Sequence, residues 1–138
     1  MIDLRDFTDI VGTMPRSDGR AYIYVPPVMQ KKTGAYIVLP RNIAEEATKY
    51  FGGTCNVLKA IDNDRLRLAI VRGANKRFSF KSKASLRAEI SIAALSPKLV
   101  DMYGENIRRV YLSCRWENDQ NGNKFVLLES TGDKEYRA

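Results

Sequence analysis

One order of secondary structure occurs twice along this chain and limits how it can fold: a strand, a short helix ended by glycine, and a hairpin. In the first passage, strand residues 35–39 precede apolar residues at helical spacing that run to Gly52-Gly53. In the second, strand residues 86–92 precede a helix pattern that begins at Ser96-Pro97 and ends at Gly104. Each passage then has two apolar runs joined by turn residues, which is the pattern of a hairpin. The sequence therefore predicts an α+β, strand-rich fold with two short helices.

The two passages align under a shift of 53 residues, which matches Ala35 with Ala88. The matched positions are apolar or aromatic in both copies: Ile37 and Ile90, Leu39 and Ile92, Tyr50 and Tyr103, Val57 and Val110, and, past a longer second turn, Leu66 and Leu68 with Phe125 and Leu127. Two explanations stay open. Either residues 33–71 and 86–128 are tandem units joined by a basic connector, 72–85, or the similarity is a coincidence between two ordinary α+β sequence patterns. In both cases residues 1–138 are expected to form a single compact domain.

The residue types exclude several chemistries. The chain has no histidine, the most common general base, and its two cysteines, Cys55 and Cys114, lie far apart. The set of about four Cys or His ligands that a structural zinc site needs is absent, and neither cysteine lies in a nucleophile motif. No Gly-rich phosphate loop is present. We expect a protein that is not an enzyme, binds no metal or cofactor, and keeps both thiols partly buried in strands.

The net charge of +7 is unevenly distributed. Residues 65–87 contain eight basic residues and no acidic one, whereas the stretch from Glu117 onward has more acids than bases. Segregated positive charge attracts polyanions, because each phosphate contact releases condensed counterions. The candidate phosphate contacts are Arg65, Arg67, Arg72, Lys76, Arg77, Lys81, Lys83 and Arg87, with Lys31 and Lys32 as secondary candidates. The alternative is a basic surface that only keeps the protein soluble.

Aromatic residues suggest two further surfaces. Phe78 and Phe80 alternate with basic residues, and on a strand they would share one face. On an open face they would stack on unpaired bases; otherwise they are core residues beneath a basic outer face. Tyr22 and Tyr24 share one face of a predicted strand, 20–25, a pattern typical of a strand covered on both sides or at a dimer interface. The polar tail, 130–138, is predicted to fray.

Residues 33–43, Thr-Gly-Ala-Tyr-Ile-Val-Leu-Pro-Arg-Asn-Ile, resemble the swapped-hairpin DNA-binding unit of AbrB-type transition-state regulators. In that family a turn glycine leads into a strand that ends in isoleucine or leucine plus proline. The MraZ proteins, with two such units in one chain, are nearer in layout. The resemblance covers residues 31–71 better than 86–128; Ala35 stands where the family has arginine, and Ala93 where a second proline is expected. It implies tandem units that pair by exchanging hairpins and present arginine and lysine to DNA.

These features together predict a small DNA-binding transcriptional regulator with double-stranded DNA as the favoured partner and a homodimer as a further expectation. No run approaches the roughly 18 apolar residues of a membrane helix, and the N-terminus lacks a signal-peptide pattern, so we expect a cytoplasmic protein without membrane contact. Two alternatives remain: a protein-interaction module, such as a phage or plasmid factor that inhibits a host protein, and a single-stranded nucleic-acid-binding protein. Salt-sensitive affinity for DNA separates the first alternative from the nucleic-acid hypotheses.

Overall fold

The computed structural model describes residues 20–27, 34–63, 65–80 and 87–138, and within these ranges eight strands and two helices surround one hydrophobic core. The strands are β1 (Ala21–Tyr24), β2 (Tyr36–Leu39), β3 (Thr54–Asp62), β4 (Arg65–Arg77), β5 (Ser79–Phe80), β6 (Ala88–Ser91), β7 (Ile107–Asn118) and β8 (Lys124–Tyr136). The helices are α1 (Arg41–Phe51) and α2 (Ser96–Tyr103), and a 3₁₀ turn, Ala93–Leu95, precedes α2. The prediction of a strand-rich α+β fold with two short helices is confirmed.

All strand pairs are antiparallel and belong to one sheet with the order β3-β4-β8-β7-β1-β2-β6-β5. β4 ends at Arg77 and β5 begins at Ser79, so the second strand of this order continues into its last strand after one residue, Phe78. The sheet must therefore curl until its two ends approach each other. The amide of Phe78 donates a hydrogen bond to the carbonyl of Gly53, just before β3, at 3.1 Å. The core lies inside this curled sheet.

The inner face of the long hairpins follows the two-residue period of a strand. Leu68 on β4 is 1% exposed and lies opposite Leu128 on β8, which is fully buried. Leu127, by contrast, is half-buried on the opposite face. The shift of 53 therefore aligns Leu66 and Leu68, on the inner face, with Phe125 and Leu127, on the outer face. A slip of one residue moves a side chain to the other face, and sequence similarity alone could not detect it here.

Strands β2 and β6 pair with each other at the centre of the two similar passages. Ile37 lies directly opposite Ile90, the residue that the shift of 53 matches to it. The amide of Ile92 donates to the carbonyl of Ala35 at 2.9 Å, and the amide of Ala35 donates to the hydroxyl of Ser96 at 2.8 Å. Matched residues that face each other across an antiparallel pair define a local twofold relation. Duplication of an AbrB-like unit stays a prediction.

Two segments have more regular structure than predicted. The connector 72–85 begins as strand, because β4 continues to Arg77 after a register shift between Cys55 and Asn56. The predicted fraying of the tail is wrong: β8 continues to Tyr136, and the Arg137 guanidinium donates to the carbonyls of Val25 and Ile107. The tail side chains are mostly exposed and therefore polar, which is why the sequence suggests a frayed end. The strand is held by hydrogen bonds between backbone groups, which do not depend on side-chain polarity.

Candidate nucleic-acid interface

The basic run from Arg65 to Arg77 does not form one patch, because it extends along a single strand. β4 has 13 residues, and at about 3.3 Å per residue its ends are separated by roughly 40 Å, less the shortening from its irregularity. Arg65 and Arg67 lie at the hairpin end of β4, and Lys76 and Arg77 lie at the other end. Lys31, Lys32, Lys81 and Lys83 lie outside the described residues.

Acidic residues of the neighbouring strand offset the charge at the hairpin end. Arg65 forms an ion pair with Glu129 at 3.1 Å, and Arg67 lies opposite the same residue in the strand register. Glu129 also pairs with Arg115 at 2.9 Å, and its side chain is only 16% exposed. An arginine already held by a carboxylate gains less from a phosphate contact, so this end is the weaker candidate.

At the other end of β4, cations gather around the aromatic residues at the C-terminus of α1. The Arg72 guanidinium carbon lies 4.7 Å from the centre of the Tyr50 ring, and its Nη2 donates to the Tyr50 carbonyl at 3.2 Å. Lys124 Nζ lies 5.6 Å from the same ring and 4.9 Å from that of Trp116. Arg72 and Lys124 come from different strands, but both lie against Tyr50.

Three further cations extend this cluster. Lys49 precedes Tyr50 in the last turn of α1, which ends at Gly52 in the left-handed conformation, with φ of 78°. Lys76 and Arg77 lie opposite Cys55 and Thr54, at the start of the strand that follows this turn. We call these five cations the basic end: Lys49, Arg72, Lys76, Arg77 and Lys124. Within the part of the chain that the structure describes, none of the five forms an ion pair with a carboxylate.

The two phenylalanines of the basic run do not share an open face. Phe78 is 9% exposed and stacks against Phe51 with ring centres 6.4 Å apart, whereas Phe80 is 41% exposed. The prediction that Phe78 and Phe80 share one face of a single strand is wrong. Phe78 lies between β4 and β5, where the chain passes from one end of the curled sheet to the other. Phe78 is therefore a core residue, and Phe80 alone is available for stacking on a base.

Arg87 is not one of the five cations of the basic end, and it lines a groove on the outer face of β1, β2, β6 and β7. This groove has a volume of about 380 Å³. We call it the tyrosine groove, and its lining residues are Tyr22, Tyr24, Tyr36, Val38, Arg87, Glu89 and Arg109. The sequence indicated Tyr22 and Tyr24 by their alternation, but it carried no signal for Arg109, which only the β1–β7 pairing brings to the groove.

The cysteines lie in strands as expected, with Cys55 fully buried in β3 and Cys114 partly buried in β7, and both thiols are free. Burial raises the pKa of Cys55 to about 11, with a smaller opposing influence from Lys76, and the pKa of Cys114 to about 12. A thiol must ionise to act as a nucleophile.

We expect an aromatic disulfide reagent at pH 8 to leave both thiols of the folded protein largely unmodified, since only about one molecule in a thousand would carry a thiolate at a pKa near 11. The same reagent in concentrated urea should modify both within minutes. Rapid, stoichiometric reaction of the folded protein would contradict the burial of these two side chains.

The described ranges contain no group of three or more Cys, Asp or Glu residues placed to hold a metal ion. No helix in these ranges is long and apolar enough to span a membrane.

Comparison of the chain with protein-family models, with curated proteins and with solved structures gives no significant match.

Proposed function

We propose that this protein binds double-stranded DNA through the basic end and acts as a small transcriptional regulator of AbrB-like type. The observation that supports this most is the gathering of five cations from α1, β4 and β8 around one turn, without a carboxylate partner among the described residues. Arginine and lysine without a carboxylate partner can contact DNA phosphates, and each contact releases a counterion condensed on the DNA.

The local twofold relation between the two passages supports the AbrB-like part of the proposal. In that family two units pair to form the DNA-binding body, and here the two candidate units pair through β2 with β6 and through β4 with β8. Tandem units that pair within one chain do not need a second chain to complete the sheet. The homodimer expected from the sequence is therefore not required for DNA binding in this proposal.

The test is the binding of a fluorescently labelled duplex at several salt concentrations, measured by anisotropy. We expect affinity that falls steeply with salt, and a variant with Lys76→Gln and Arg77→Gln should lose roughly two units of the slope of log affinity against log salt, since each phosphate contact contributes about 0.9. Arg72 is left unchanged in this variant because it also caps α1 through the Tyr50 carbonyl.

A matched control removes the same two charges elsewhere. Arg41 and Lys98 are exposed on the helices and lie outside the basic end, so a variant with Arg41→Gln and Lys98→Gln has the same net charge as the test variant. This control should keep nearly the whole slope. Equal losses in the two variants would show a general charge effect, and an absence of duplex binding at low salt would overturn the proposal.

One observation favours a second candidate function, docking on a protein partner. Leu58 on β3 is 55% exposed and lies opposite Ala69, which in turn lies opposite Leu127, so apolar side chains cross the outer face of three strands. Such a strip is typical of an interaction surface. Failure of duplex binding together with a stable protein complex that Leu58→Asp abolishes would establish this function instead.

A further inference from the structure

The tyrosine groove lies on strands that take no part in the basic end, and its lining has three kinds of chemistry in a fixed order. The strand register places Arg109 of β7 beside Tyr24, and Tyr24 beside Tyr36. In the neighbouring row, Tyr22 lies beside Val38, and Val38 beside Glu89 of β6. A cation therefore occupies one wall, aromatic and aliphatic side chains form the floor, and a carboxylate stands on the opposite wall.

The dimensions of the groove fit a small ligand. Three strand spacings of about 4.8 Å separate β7 from β6, so the two walls are roughly 14 Å apart. The volume of about 380 Å³ is near the lower limit of small-molecule sites. The rings of the floor are packed: the ring centres of Tyr24 and Tyr36 are 5.3 Å apart, and those of Tyr22 and Tyr111 are 6.0 Å apart.

Arg109 supplies the guanidinium group of this groove. Its guanidinium carbon lies 5.0 Å from the centre of the Tyr22 ring, and its Nη1 lies 3.6 Å from a Glu135 oxygen. Its Nε is buried and has no hydrogen-bond partner among the described residues. An anionic ligand in the groove would accept hydrogen bonds from the terminal Nη groups of Arg109, since the buried Nε is out of its reach. A guanidinium that is stacked on an aromatic ring is well suited to phosphate.

We propose that the tyrosine groove binds a nucleotide whose base carries an exocyclic amino group, with the phosphate at Arg109, the base against the tyrosine rings and the amino group at Glu89. Each part of the ligand matches one part of the lining: guanidinium groups hold phosphates, aromatic rings stack on bases, and glutamate accepts a hydrogen bond from the amino group of cytosine. A free nucleotide and a nucleotide within a single strand share this chemistry. The proposal does not depend on duplex binding at the basic end.

The test is an NMR titration of the ¹⁵N-labelled full chain with 5′-CMP, 5′-TMP, inorganic phosphate and a single-stranded hexamer of deoxycytidine. We expect amide shifts confined to β1, β2, β6 and β7, and binding of 5′-CMP about tenfold tighter than that of either 5′-TMP or phosphate, since one hydrogen bond to a charged group has roughly that effect. A hexamer that binds more tightly than 5′-CMP identifies a single strand as the source of the nucleotide, and equal affinities identify the free nucleotide.

Arg109→Gln should weaken 5′-CMP binding about tenfold or more. Its matched control is Arg108→Gln, which removes the same charge and the same carboxylate partner, because Arg108 pairs with Glu135 at 3.2 Å but does not line the groove. The control should bind 5′-CMP within about twofold of the parent chain, and thermal melts should show that both variants fold.

Three results would overturn the proposal: no shifts with 5′-CMP at millimolar concentration, phosphate or 5′-TMP bound as tightly as 5′-CMP, or equal losses in the two arginine variants. Duplex affinity should be unchanged by Arg109→Gln, and 5′-CMP affinity should be unchanged in the variant with Lys76→Gln and Arg77→Gln. The two proposals can therefore fail separately.

Discussion

Gly34→Ala is expected to destabilise the fold by about 3 kcal/mol, near the upper end of the usual cost of overpacking. A Cβ atom at residue 34 would lie 2.2 Å from the Cβ of Ala93 and 2.6 Å from its Cα. Neither side can move freely, because hydrogen bonds tie the two segments together: Ile92 donates to Ala35 at 2.9 Å, and Ala35 donates to Ser96 at 2.8 Å. Urea denaturation followed by the fluorescence of Trp116, the only tryptophan, measures the change.

A second substitution tests whether space is the cause. Ala93→Gly in the Gly34→Ala background removes the contact at 2.2 Å but leaves the one at 2.6 Å, so stability should be partly restored. In a double-mutant cycle the two substitutions should therefore couple favourably. An unchanged free energy of unfolding for Gly34→Ala alone would show that the two segments are farther apart than described.

Local signals in the sequence are sufficient to predict where the two helices end. Gly52 and Gly104 were predicted to end them, and α1 and α2 end immediately before these residues. These signals succeed because a helix terminus depends on a few neighbouring residues. The same short range explains what they miss: a serine at the start of a helix is typical of an N-cap, but the hydroxyl of Ser96 accepts a hydrogen bond from the amide of Ala35, 61 residues away.

The candidate sites could be predicted only in part, because each is assembled from distant strands. The charge run indicates Arg72, Lys76 and Arg77, which are exposed or half-buried, but nothing in it shows that Lys124 shares the Tyr50 ring with Arg72. That contact depends on the register between β4 and β8. The spacing of basic residues along the sequence also does not distinguish these cations from Arg65, which forms an ion pair with Glu129 of β8.

Leu68→Ala is expected to cost about 3 kcal/mol, within the range measured for buried leucines, because its side chain is 1% exposed where β4 meets β8. Leu58→Ala on the adjacent β3 is the matched control: the same atoms are removed from a side chain that is 55% exposed, and the change should stay within about 0.5 kcal/mol. Urea titrations of both variants, followed by Trp116 fluorescence and by circular dichroism, give the two free energies. Coincident transitions by the two probes are expected, because one core connects the hairpins.

A larger loss of stability from Leu58→Ala than from Leu68→Ala would mean that the inner and outer faces of these strands are exchanged. Since a register shift of one residue exchanges them, that result would also move Arg65 and Arg67 from the outer face to the inner one.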